Sequence, residues 1–329
     1  LENGKAYLEF ALPEKIGRLL SALQIEIWEG AEGERLVFHG EYSSEEADSM
    51  TALLLRPHLW DGMRDPYVYL VKAQGRFRSV EYGEKMGGME KEEKLDPAED
   101  ITGEVEMYWR QELTIYDVRV VEKKGILLNE KEFLPHEVVY RLPPQISDAG
   151  TRVEQVRRDL ERLVQMGVNV IRLEGTGTGA EGVNCSEVRT FYSLCRKRGF
   201  LTGDLWIRPE NLPVYRGLPG ETTCQVLLAA DGRTLTERYY YYQAKWSSEP
   251  VLYPVLSTLH RQENGLLSLT IYSNQKKVVL YVDGVLFLFQ SAASGDPEFI
   301  FEDIPVAKLP LHLAVEAGNL SISLTVSKI

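Results

Sequence analysis

Apolar positions in the first third of the chain fall in short alternating or clustered runs. Residues 6–12, 23–28 and 35–39 each have the length of a strand, and Pro13, Gly30 and Gly33 separate them. Residues 67–72 repeat the pattern after Asp65-Pro66. Short strands between turn residues predict a β-sandwich, resembling the immunoglobulin arrangement. Residues 75–103 are rich in Glu, Lys and Gly, and they read as an inserted flexible loop. Alternation resumes over 104–121, which returns the chain to the sandwich.

The period changes at Asp148. Thr151 and Glu154 have capping-box spacing, in which a hydroxyl and a carboxylate each satisfy a free N–H at the start of a helix. Val153, Val156, Leu160, Leu163 and Val164 follow at helical spacing, and Gly167 supplies a stop. An apolar strand over 168–173 comes next. Ser186 then caps a second helix that runs to about Lys197, Gly199 ends it, and another strand begins at Phe200. This β-α-β-α-β alternation is the local grammar of a parallel sheet. From Gln225 the chain reads as β again. Tyr239–Tyr242 read as alternating tyrosines on a strand, packing one face and exposing the other. Residues 266–273, 278–282 and 285–289 are strong strands, with Asp283-Gly284 as a two-residue hairpin turn. Strands at 311–316 and 320–326 complete a second sandwich. The fold class is therefore mainly β with a small α/β part.

Length permits two or three domains in 329 residues. A formal charge of −12 disfavours phosphate backbones, so nucleic acid is not an expected partner. The acidic residues concentrate near 81–100, which reads as a solvated loop. No apolar run approaches the roughly 18 to 20 residues needed to cross a bilayer. The N-terminus is not a signal peptide and lacks a starting Met, consistent with upstream sequence having been processed or cut away. Cys185, Cys195 and Cys224 form no disulfide framework and fit a reducing compartment, giving a cytoplasmic expectation.

Other chemistry is weighed and set aside. Gly177-Thr178-Gly179-Ala180-Glu181-Gly182 fits the dinucleotide fingerprint, with Asp204 about twenty residues on. The helix must begin within the glycines for its N–H groups to hold a pyrophosphate, and here Val183, Asn184 and Cys185 intervene. A flexible loop is the better reading, and no cofactor is expected. His39, His58, His136, His260 and His312 show no metal spacing, and neither Cys185 nor Cys195 has a local basic activator.

Four stretches resemble family 2 glycoside hydrolases of the β-galactosidase type. Pro57-His58-Leu59-Trp60-Asp61-Gly62 with Asp65-Pro66-Tyr67-Val68-Tyr69 is similar to the close of that family's immunoglobulin-like domain. Gly125-Ile126-Leu127-Leu128-Asn129-Glu130-Lys131 resembles the entry to its catalytic barrel. Met166 to Arg172, then Phe191 to Cys195 and Gly199-Phe200-Leu201, are similar to its first barrel helix, strand and second helix. Tyr240 to Pro250, Tyr272-Ser273-Asn274 and Leu280 to Gly284 resemble its C-terminal sandwich.

The resemblance implies three parts: an immunoglobulin-like sandwich over 1–121, a truncated (β/α) barrel remnant over 122–222, and a C-terminal sandwich over 223–329. A full (β/α)₈ barrel takes roughly 200 to 250 residues. Only about 90 residues, from Gly125 to Tyr215, lie between the sandwiches. The later strands, which in the family carry both catalytic glutamates, have no counterpart. Asn129-Glu130 stands where the family has Asn-Gly and reads as a turn. The family's Arg-His pair falls on Tyr140-Arg141, and its sugar-site His falls on Gly175. Arg172 matches the family's arginine; without a nucleophile to support, it is expected in an ion pair with Glu174 or Asp204. Arg172, Glu174 and Asp204 form the candidate residual cleft, with no catalytic and no metal residues assigned. The expected function is that of a non-catalytic relative that binds carbohydrate or acts as a scaffold. The alternative is a glycosidase with a rebuilt or partner-completed site. The remnant is expected to be covered by a neighbouring sandwich or by a second copy of the chain, which would make a homodimer.

Overall fold

The computed structural model describes residues 4–46, 50–80, 101–122, 124–143, 149–174, 185–202, 213–216, 225–229, 231–293 and 295–328. The chain divides into two compact units, 1–133 and 134–329. The finer three-part division expected from the sequence remains a proposal.

In the first unit the elements run β1 (Lys5–Phe10), α1 (Glu14–Gly17), β2 (Leu20–Glu29), β3 (Arg35–Ser43), β4 (Met50–Leu55), β5 (Tyr69–Val80), β6 (Ile101–Leu113), β7 (Val118–Val121), β8 (Gly125–Leu128) and β9 (Lys131–Phe133). Strands β3-β2-β5-β6 form an antiparallel sheet, and β1 pairs with β4. Alternation decides which side chains are inside. Met50, Ala52 and Leu54 of β4 are buried, as are Leu23, Ile25 and Ile27 of β2. The residues between them on β2 face outward, giving the two-layer core of a β-sandwich. Strands β5 and β6 extend to Val80 and start again at Ile101, so the loop read over 75–103 is shorter than expected. Its central part, 81–100, lies outside the described residues.

Asn129-Glu130 is the tight turn joining β8 to β9, with φ of 48° and 67°. The Asn129 side chain donates to the Trp60 carbonyl at 2.9 Å and accepts from the Asp117 N–H at 3.0 Å. Its role is to fasten three segments together.

The second unit continues with β10 (Glu137–Tyr140), α2 (Ala149–Met166), β11 (Val170–Leu173), α3 (Cys185–Lys197), β12 (Leu201–Thr202), β13 (Pro213–Tyr215), β14 (Gln225–Val226) and α4 (Glu237–Trp246). Then come β15 (Leu252–Arg261), β16 (Leu267–Ser273), β17 (Lys277–Val282), β18 (Val285–Ser291), β19 (Glu298–Ile304), β20 (Leu311–Ala317) and β21 (Leu320–Val326). Five parallel strands form an open sheet in the order β12-β11-β10-β13-β14, with β12 and β14 at its edges. The described strands do not close into a barrel. They number five, against the three strands of the β-α-β-α-β alternation read from the sequence, because β13 and β14 are too short to show a period.

Helices α2, α3 and α4 share one core with Val138, Tyr140, Ile171, Leu173 and Tyr215 on one face of this sheet. Both longer helices stop at the expected glycines. Gly167 N–H reaches the Val164 carbonyl and Val168 N–H the Leu163 carbonyl; Gly199 and Phe200 repeat the arrangement on Arg196 and Cys195. These are Schellman closures. The helix starts differ from expectation. Thr151 and Ser186 lie inside α2 and α3, since the helices begin at Ala149 and Cys185.

The tyrosine run is helical, which corrects the strand read there. In α4, Tyr239 and Tyr242 point into the α/β core, while Tyr240 stacks on Tyr253 at 3.8 Å and Tyr241 meets Tyr272 edge-on. A helical period lets neighbouring tyrosines serve two packing surfaces at once. The second sandwich packs sheets β15-β16-β19 and β18-β17-β20-β21 around Leu269, Ile271, Leu280, Phe301 and Val315. Among the described residues no helix is long and apolar enough to cross a membrane.

Candidate functional site

Successive residues of a strand face opposite ways, so the parallel sheet sorts its polar groups by side. Val139 pairs with Arg172, and Glu137 with Val170. Glu137 and Arg172 therefore lie on the face away from the three helices. Arg172 Nη2 donates to Glu137 Oε1, with the arginine 8% and the glutamate 4% exposed. Glu137 on the neighbouring strand is thus a partner of Arg172 that the sequence reading did not name, while the expected Asp204 lies outside the described residues. Glu174, one residue beyond β11, is taken by Arg141 through a two-point contact; the Nη2–Oε1 arm is 2.9 Å. Asp204 and Gly175 lie outside the described residues, as does the Gly177–Gly182 motif. Of the three expected cleft residues, two are placed, and each is engaged with a different partner.

A third carboxylate, missed in the sequence, sits on the helix side. Asp159 of α2 is 1% exposed. It accepts from Tyr140 at 2.8 Å, from Tyr215 at 3.4 Å and from Arg216 at 3.0 Å. Burial pushes the Tyr140 phenol well up, and burial followed by the Asp159 charge pushes Tyr215 up to about 12. Both hydroxyls therefore stay protonated at neutral pH and act as donors to Asp159. The only sequence signal for Asp159 was a charge among the buried positions of an amphipathic helix.

At the opposite, N-terminal end of β10, His136 stacks on Trp246 at 5.3 Å, and its Nδ1–H donates to the Gly167 carbonyl at 2.9 Å. Burial pushes this imidazole down from its ordinary value. Among the described residues no group of three or more His, Cys, Asp or Glu side chains could hold a metal ion. Cys195 is buried, and burial raises its thiol, which removes it as a nucleophile.

Among the described residues, Glu137, Asp159 and Glu174 do not come together as an acid–base pair. Glycoside hydrolysis places two carboxyl groups on either side of one bond, about 5 Å apart or roughly 6.5 to 9.5 Å apart. Here Glu137 and Asp159 lie on opposite faces of the sheet, and Glu174 lies at its C-terminal edge. Each is held by a guanidinium.

The fold is that of a mainly β protein with an open parallel α/β part among the described residues, and solved structures of β-glucuronidases and of a family 2 glycoside hydrolase are similar to it in fold. An FMN-binding β-glucuronidase from Facaelibacterium prausnitzii L2-6 is similar at a TM-score of 0.63 and 14% identity, covering 100% of this chain and 72% of its own. Bacteroides uniformis β-glucuronidase 3 is similar at 0.57 and 12%, over 98% of this chain and 63% of its own. A glycosyl hydrolase family 2 member from Bacteroides cellulosilyticus DSM 14838 is similar at 0.56 and 12%, over 98% and 60%. The chain thus spans less than two thirds of the length of the last two. No protein-family model matches the chain, and no curated protein matches it in sequence. At these identities the likeness is one of fold.

Proposed function

We propose that this chain is a non-catalytic relative of family 2 glycoside hydrolases that binds carbohydrate or serves as a scaffold. One observation carries the reading. Three carboxylates at the described part of the parallel sheet, Glu137 of β10, Glu174 just beyond β11 and Asp159 of the covering helix α2, are each committed to an arginine and divided among two faces and an edge. A general acid must release a proton beside its substrate, and a nucleophile must present a free oxygen edge. Carboxylates locked in guanidinium contacts serve structure instead. Among the described residues the sheet ends at β12 and β14, edges that parallel strands ordinarily keep covered, and a neighbouring sandwich or a second copy of the chain is the proposed cover.

The test is direct. Purified protein is incubated with chromogenic β-galactosides and β-glucuronides, and its melting temperature is measured with and without added sugars. No turnover together with a sugar-dependent rise in melting temperature is the expected result. Turnover that is abolished by Glu174→Gln or Asp204→Asn would overturn the non-catalytic reading.

A further inference from the structure

The outer face of sheet β3-β2-β5-β6 carries a hollow of about 570 Å³. Its floor has a structural cause. The register of β2 against β5 slips between Leu20 and Ala22, so Ser21 is an extra residue on β2. Ala22 then sits between Ser43 of β3 and Arg76 of β5 in one cross-strand row. Small side chains at 21, 22 and 43 leave the space. The next row is polar from edge to edge: Glu41, Gln24, Gln74 and Tyr108.

The walls are pre-set by hydrogen bonds. The Glu46 carboxylate accepts from the Ser43 N–H at 3.0 Å and the Ser43 hydroxyl at 3.1 Å. Gln74 donates to the Tyr108 hydroxyl at 3.1 Å, and that hydroxyl donates to Glu106 at 2.7 Å. A second hollow of about 330 Å³ adjoins the first through Gln24 and Gln74, and carries Lys72, Tyr108 and Arg110. The two form one groove across the strands.

We infer that this groove is a binding site for a neutral oligosaccharide, resting on the carbohydrate-binding reading above. Three features point to that ligand. The amides, carboxylates and hydroxyls supply the mixed donors and acceptors that a sugar's neighbouring hydroxyl groups require. Side chains in a cross-strand row repeat at about 4.8 Å, close to the length of one pyranose residue, so successive strands address successive sugars. Tyr108 is 67% exposed and offers a ring edge and face beside the polar row. Charge decides the class. Glu41, Glu46 and Glu106 outnumber Arg76 around the larger hollow, and with Glu26, Lys72 and Arg110 in the smaller one the groove carries four acidic and three basic side chains, so it offers a uronate no net attraction and disfavours one at its acidic end.

The experiment is titration calorimetry on the full chain with neutral galacto-, xylo- and manno-tetrasaccharides and with a glucuronate-bearing tetrasaccharide. Ala22→Trp, which fills the floor, and Gln74→Ala, which cuts the polar row, are measured alongside. The wild type is expected to bind a neutral chain more tightly than the acidic one. Each variant, shown to fold by circular dichroism, is expected to lose about tenfold in affinity or more. Undiminished binding in both variants would place the sugar elsewhere, sinking the groove while leaving the carbohydrate reading intact. Preference for the glucuronate chain would overturn the charge argument. No binding of any sugar by the wild type would remove the groove and the carbohydrate reading together, while the hydrolysis assay separately decides catalysis.

Discussion

Glu137 and Glu174 make the contrast between a buried and an exposed ion pair. Removing one partner of a buried pair takes a compensating charge away from a desolvated group. Glu137→Ala should therefore destabilise the second unit by about 3 to 5 kcal/mol, measured by urea unfolding. The Glu174 side chain is 44% exposed, so water screens its contact with Arg141. Glu174→Gln should cost about 1 kcal/mol or less. Equal losses in the two variants would contradict the assignment of burial. Arg172 was legible as a paired arginine, but its partner was not. The two residues lie on adjacent parallel strands, and only the register, Glu137 beside Val170, brings them together. Sequence proximity favoured Glu174, which lies one residue past the end of β11 and is engaged there by Arg141. His136 adds a dependence on pH. Its folded value lies below the ordinary 6.5 because burial penalises the imidazolium. The unfolded chain then binds the extra proton more readily, so stability is full above about pH 6.5 and declines as pH falls toward the folded value. His136→Gln should flatten that slope in melting curves taken from pH 7.5 to 5.

At the scale of elements, the glycine stops were the most readable features, since a helix that must end in a left-handed residue advertises it. Gly167 has a second constraint that no sequence pattern reveals. A Cβ there would lie 2.5 Å from the backbone carbonyl of Trp246, at a φ of +88°. Gly167→Ala should thus cost at least about 2 kcal/mol, combining strain and overpacking. Gly284, in the β17–β18 hairpin, has a φ of +82° and nothing within 4 Å of the same position. There the substitution should cost only the conformational strain, about 1 kcal/mol. Thermal unfolding of the two variants separates crowding from backbone preference. The tyrosine run was misread because four consecutive aromatics carry no period of their own. What makes them a helix is two surfaces to fill, the α/β core and the second sandwich, and these exist only once the chain has folded. Strands β13 and β14 escaped notice for a related reason: three and two residues are held by neighbours, not by a pattern. The bulge at Ser21 left no sequence trace, so the groove on the outer sheet was also invisible.

For the whole molecule, each unit has its own apolar centre. Ile27, Ala52, Leu54 and Tyr69 belong to one, and Leu160, Ile171, Phe191 and Tyr239 to the other. Separate cores are the physical basis for separate cooperative transitions, and two-state behaviour is an approximation that multi-unit chains break. Scanning calorimetry should accordingly resolve two transitions. Leu54 is 4% exposed in the first unit, and Leu54→Ala removes apolar contacts at a cost of about 2 to 5 kcal/mol. It should lower one transition and leave the other in place, whereas Gly167→Ala should do the reverse. The α/β part and the second sandwich belong to the same unit, and α4 joins them, its tyrosines packed into both. These two parts should therefore melt together despite their different architectures. If both variants moved every transition equally, the chain would unfold as a single cooperative body, and the division at residue 133 would be geometric without being energetic.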